Sequence, residues 1–148
     1  GMSTIQANRV GQLERWTRAG LLKLPKSDKP LPQLTDYTDD KAPLEGRVRS
    51  YLHGNCAHCH VWAGGGNSAI NLHGTAQRDE MKLIDVAPLH DKFGLKDAKL
   101  VAPGDPERSV LLSRLTRRGR GQMPPLGTHH TDPQGVKLVR QWIESLAK

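Results

Sequence analysis

Residues 56–60 read Cys-Ala-His-Cys-His, a C-x-x-C-H run whose residue types belong to cofactor chemistry. Cys56 and Cys59 stand about one helical turn apart, so both thiols can reach the vinyl groups along one edge of a porphyrin. His60 follows directly and is placed to ligate an iron, which makes the run the attachment signature of a c-type haem. A bare C-x-x-C also serves as half of a zinc site or as a thiol-disulfide pair. The adjoining His narrows that choice, and a second iron ligand would decide it.

The chain has only two cysteines, both in this motif, which leaves none for a four-cysteine zinc ribbon or a disulfide framework. A structural zinc site would have to recruit two histidines beside Cys56 and Cys59. Apolar residues make up 36% of the chain and aromatic residues 4%, with a single Phe, so the protein alone builds a modest core. A buried porphyrin would supply the missing apolar mass. The length of 148 residues is that of one domain with room for an appended arm. A net charge of +7 raises the question of nucleic acid, but the basic residues are spread along the chain and no nucleic-acid motif accompanies them.

No apolar run is long enough to span a bilayer, and no charged start followed by an apolar stretch marks an export signal. The opening Gly1-Met2 resembles an expression scar. Thioether attachment of haem normally takes place outside the bacterial cytoplasm. The expectation is therefore a piece of a longer exported, periplasmic protein.

The elements that must position the motif follow from periodicity and punctuation. Ile5, Val10, Leu13 and Trp16 predict an amphipathic helix over residues 4–19, with Gly20 as its stop. Pro25, Pro30 and Pro32 then break any period and predict an extended connector, tethered by Leu22, Leu24, Leu31 and Leu34. A second helix, residues 43–53, carries the stripe Leu44, Val48, Tyr51 and Leu52 and leads into the motif. Gly64, Gly65 and Gly66 predict a loop in which backbone approaches the cofactor, or a plain turn; the G-x-x-x-x-G-K phosphate pattern is absent.

Asp105-Pro106 predicts a third helix running to about Thr116, and Asp132-Pro133 a terminal one carrying Val136, Leu138, Val139, Trp142, Ile143 and Leu146. No period-2 strand competes. The fold class is all-α, with residues 1–42 as helix and connector and 43–148 as the domain that holds the motif.

Between the last two helices, residues 120–127 read Arg-Gly-Gln-Met-Pro-Pro-Leu-Gly. Met123 in this proline-stiffened loop is the candidate sixth ligand, a soft thioether that suits low-spin haem iron and raises its reduction potential. Met81 lies in an ordinary polar-apolar stretch. The order helix, C-x-x-C-H, Gly-rich loop, helix, Met-Pro loop, terminal helix resembles the class I cytochrome c family from about residue 43 to 148. Residues 51–60, 101–109 and 123–127, with 12–22 upstream, resemble more narrowly the haem domains at the C-terminal ends of large secreted bacterial proteins.

The resemblance implies a cytochrome c-like fold around a covalent haem held by Cys56, Cys59, His60 and Met123, with His60 and Met123 on the iron. It also implies electron transfer rather than catalysis, with a redox protein or an upstream dehydrogenase-like domain as partner. The first and last helices of the domain should cross, with Val48, Tyr51 or Leu52 against Val139, Trp142 or Ile143. Many family members have a proline soon after the motif whose carbonyl accepts the proximal imidazole N–H. Here the next proline is Pro88, so the acceptor for His60 is unassigned.

Arg117, Arg118 and Arg120 are candidates to pair with the acidic groups of the porphyrin. Lys92, Lys96 and Lys99 join them as candidates to steer an acidic partner. His53, His58, His129 and His130 read as surface or packing residues. A competing reading, a haem enzyme or gas sensor with an open distal site, would use His129 or His130 there. Structural zinc is the third.

Overall fold

Two Asp-Pro steps start helical turns, as their capping chemistry dictates. In the computed structural model, which describes residues 12–24 and 32–147, Asp132 accepts the Gly135 N–H at 3.0 Å and Pro133 occupies the first turn. Asp105 accepts the N–H groups of Glu107 (3.1 Å) and Arg108 (3.2 Å), and its other oxygen takes Arg108 Nε at 2.8 Å. The carboxylate thereby satisfies donors that the first turn leaves orphaned.

Among the described residues four α-helices result: α1 Gln12–Arg18, α2 Leu44–Cys56, α3 Val110–Thr116 and α4 Pro133–Ser145, with a 3-10 turn at Pro106–Arg108. Among the described residues the only extended pairings are two isolated parallel bridges, Ile84 with Val101 and Lys99 with Ser109. The class is all-α. Among the described residues no helix is long and apolar enough to cross a membrane.

The expected single helix over 105–116 is broken at Ser109. Lys99 N–H donates to Arg108 O at 3.0 Å and Val110 N–H to Lys99 O at 2.9 Å, which draws Ser109 into extended backbone. Its buried hydroxyl accepts from Ala102 N–H and donates to Asp105 O, both at 2.9 Å. The polar groups lost to the helix are paired instead across the loop.

α1 is followed by Gly20, whose φ of +70° lets the Leu21 N–H fold back to Trp16 O at 2.9 Å. Leu13 and Trp16 on α1 are exposed, and the N-terminal part of the expected helix, residues 4–11, lies outside the described residues. So do Pro25, Pro30 and Leu31 of the connector. Leu24 is exposed, and of the expected tethers Leu34 lies against Gly74. The firmer attachment is polar and aromatic: Thr35 N–H donates to Ser50 Oγ at 2.8 Å, Arg47 Nε to Tyr37 O at 3.0 Å, and the Tyr37 ring meets Tyr51 edge-on at 5.3 Å.

The core forms where α2 crosses α4, with α3 and the 3-10 turn packed on α4 from beside. Val48 and Leu52 on α2 and Val139, Trp142 and Ile143 on α4 are buried, as the two apolar stripes require. Trp142 Nε1 donates across the crossing to Glu45 Oε2 at 2.6 Å, and Arg78 holds the same oxygen at 3.0 Å. Both helices thereby share one electrostatic anchor at the end away from the motif.

Candidate functional site

α2 runs three residues further than its periodicity predicts and ends on Cys56 itself. The winding continues through the motif: Ala57 N–H donates to His53 O at 3.3 Å, Cys59 N–H to Cys56 O at 3.1 Å and His60 N–H to Cys56 O at 2.9 Å. Cys56 and His60 therefore stand one turn apart on one side of the chain. Both thiols are free, Cys56 buried and Cys59 half-buried.

The glycine loop closes over this turn. Gly66 N–H donates to Cys59 O at 2.9 Å and Leu72 N–H to His60 O at 2.8 Å. A Cβ at Gly66 would stand 2.7 Å from Cys59 O and 3.0 Å from His60 Nδ1, and one at Gly64 would also meet Cys59 O at 2.7 Å. The close approach that these glycines permit is thus to the motif's own backbone and imidazole.

The opposite side comes from the loop after α3. Met123 N–H donates to Arg114 O at 3.0 Å. Gln122 braces the loop from inside: its Oε1 accepts Gly119 N–H at 2.7 Å and its Nε2 reaches Pro124 O at 3.1 Å and Thr128 O at 3.2 Å. Met123, Pro124 and Pro125 line one cleft together with Cys56, Cys59 and His60, its volume about 340 Å³. That size falls within the range of small-molecule and cofactor sites, roughly 300–1,000 Å³.

The surroundings of His60 favour its neutral form. Burial lowers its pKa below the ordinary imidazole value, and the neighbouring His58 and the Arg114 guanidinium add to the shift. A neutral imidazole retains the lone pair that a metal needs. Its Nδ1 is buried and has no hydrogen-bond partner among the described residues, in keeping with the missing proline. Burial likewise pushes the Cys56 thiol up to about 12, with Cys59 adding to the effect.

The donors fit a covalent haem: two unpaired thiols, one neutral imidazole and one thioether line a single cleft. Among the described residues no group of three or more His, Cys, Asp or Glu is gathered so as to hold a metal ion. His58 lies exposed on the cleft. His53 Nδ1 instead accepts Gly74 N–H at 3.0 Å and its ring meets His73 edge-on at 4.8 Å. His129 and His130 are exposed and do not line the cleft, and Met81 is buried in the core.

The basic residues are redistributed relative to expectation. Arg117 stacks on Phe93 at 3.6 Å and donates to Ser113 O (3.0 Å) and Oγ (2.7 Å), while Arg118 reaches His130 O at 2.8 Å. Both guanidiniums are thus engaged with the protein. Arg120 is exposed. The arginine whose charge His60 feels is Arg114, one turn earlier on α3, together with Phe93 a residue that no motif singles out. The signals were the uniqueness of Phe93 and the helical spacing of Arg114 and Arg117. No family model, no curated protein and no solved structure matches this chain.

Proposed function

We propose that this chain is an electron-transfer module that carries a covalently attached c-type haem, folded as class I cytochromes c are. The observation that carries the reading is the shared cleft of Cys56, Cys59, His60 and Met123. The bound haem would supply a reversible one-electron couple between ferric and ferrous iron. Cys56 and Cys59 would hold it through thioether bonds, and His60 and Met123 would ligate its iron. His60 does so as the neutral imidazole that its burial favours, and Met123 from a loop that Gln122 keeps in shape.

If His60 and Met123 both ligate the iron, no position there would be left for substrate, and we read the module as a carrier rather than an enzyme. It belongs to a larger exported protein, in the periplasm or outside the cell, and passes electrons between an oxidising domain of that parent and a separate redox protein. Exposed Lys92, Lys96 and Arg120 favour an acidic partner, whereas Lys99 is already paired with Asp85 at 2.9 Å.

The test is denaturing electrophoresis followed by a haem stain, on protein made with haem-attachment machinery. Colour that stays with the polypeptide, and resists acid-acetone extraction until both cysteines are changed to Ala, is the expected result. Extraction of the haem from the unaltered protein would overturn the reading.

A further inference from the structure

Phe93 and Gly121 both have left-handed backbone, φ +53° and +82°, and they meet. Such a conformation in an aromatic residue is costly and persists only where the surroundings impose it. Here Phe93 N–H donates to Asp91 Oδ1 at 2.8 Å, and the ring lies against Gly121 so closely that a Cβ there would stand 2.5 Å from Cε1. Two guanidiniums engage the ring, Arg114 at 4.6 Å and Arg117 at 3.6 Å from its centroid. Arg114 also donates from Nη1 to Gly121 O at 3.0 Å, while its own carbonyl accepts Met123 N–H at 3.0 Å.

One residue of α3 therefore grips the Met loop at two points two residues apart, and the chain's single Phe presses on Gly121, the nearer of these points to the helix. Cation-π contact with the ring holds the Arg114 fork over that glycine, a role that the compact ammonium of lysine fills less well.

We propose that Arg114 and Phe93 are positioning residues for Met123, setting where its sulfur stands in the cleft; this rests on the reading of Met123 as an iron ligand. Neither side chain is among those lining the cleft, so they act through Gly121 and the Met123 amide. The arrangement also separates geometry from charge. Losing Arg114 removes a positive charge near His60, whereas Phe93→Leu removes only the ring.

The experiment compares Phe93→Leu, Phe93→Tyr, Arg114→Gln, Arg114→Lys and Met123→Ala in the haem-loaded full chain. It reads the near-infrared sulfur-to-iron band, the midpoint potential and hydrogen exchange at the Met123 amide. Expected are a band reduced by half or more in Phe93→Leu and Arg114→Gln, a potential displaced toward that of Met123→Ala, and exchange at Met123 at least tenfold faster. Phe93→Tyr, which keeps the ring, should restore all three. Arg114→Lys keeps the charge but loses the fork and should recover only in part.

Exchange within twofold of the unaltered protein in both Phe93→Leu and Arg114→Gln would overturn the proposal, whatever the band does. So would a band lost equally in Phe93→Leu and Phe93→Tyr. Should Arg114→Gln fail to fold, the Phe93 pair decides. If the unaltered protein shows no band at all, the ligand reading fails, and the exchange rates still report on the clasp.

Discussion

Gly135 presents its bare Cα to the ring of Tyr51: a Cβ built there would stand 2.2 Å from both Cζ and Oη. The same glycine donates its N–H to the α4 cap Asp132 at 3.0 Å, so one residue both starts α4 and lets it close on α2. Tyr51 is buried, and it delivers the helix that ends in the motif. Gly135→Ala should destabilise the protein by about 1–3 kcal/mol through overpacking. Adding Tyr51→Leu should recover part of that loss, because residues in contact couple by roughly 0.5–3 kcal/mol. Urea unfolding of the two single variants and the double variant checks this, and strict additivity would mean that the crossing lies elsewhere.

How much of this was legible beforehand follows from how local each cause is. The starts of α3's preceding turn and of α4 are written in Asp-Pro steps, and the crossing helices in apolar stripes, since both signals span only a few residues. Tyr51 stands among the residues expected at the crossing, but its partner Gly135 escaped the stripe reading. A stripe weighs side chains, whereas Gly135 makes its contact by having none. The break at Ser109 depends on Lys99, which is remote from any helix signal, and the extension of α2 to Cys56 runs through a Gly54 that a propensity argument would use as a stop. The site shows the same division: the motif and Met123 stand in short runs, while the Phe93 stack with Arg114 joins segments that only the fold brings together.

The glycine triplet invites a test at the motif. A methyl at Gly66 would press on Cys59 O and on the His60 ring, and neither can retreat cheaply, because the carbonyl is bonded to Gly66 N–H and the imidazole Nδ1 is buried. Gly66→Ala should cost about 1–3 kcal/mol and alter the environment of His60. Gly65, whose Cβ would meet nothing within 4 Å, has φ +80°, and its Ala variant should be strained without touching the imidazole. The readout is the His60 ring resonances in NMR spectra of both variants. A His60 shift in Gly65→Ala equal to that in Gly66→Ala would contradict the packing described.

His53 sets an acid limit on stability. Its Nδ1 accepts Gly74 N–H, which needs an unprotonated nitrogen; the His73 ring stands edge-on at 4.8 Å, and the Arg49 guanidinium is bonded to Gly74 O and Ala76 O on the same loop. Burial, and secondarily His73, holds its pKa below the ordinary 6.5. The unfolded chain thus takes up a proton near pH 6.5 that the folded one refuses until lower pH. The stabilisation is complete above that value and is lost as pH falls through the folded pKa. His53→Gln should weaken the fall in unfolding midpoint between pH 7.5 and 5.5. An identical fall in both proteins would remove His53 as its source.

The two thiols should be chemically unequal while haem is absent and equally silent once it is attached. Cys56 is 8% exposed and its thiol is pushed up to about 12, first by burial and then by Cys59. Thiolate is the species that alkylates, so at pH 8 Cys56 should react at least about tenfold more slowly than the half-buried Cys59. The linkage runs to alkaline pH. Below pH 9 the buried thiol costs nothing through ionisation, and as pH rises from 9.0 toward about 12 the unfolded chain ionises Cys56 while the folded one does not, so stability declines. Cys56→Ala should flatten that part of the curve. In the haem-loaded protein both sulfurs would be thioethers, and mass spectrometry after iodoacetamide should show no adduct. Equal rates at Cys56 and Cys59 in the haem-free chain would refute the burial. Adducts in the loaded chain would refute the attachment, and the two failures are separable because they arise in different samples.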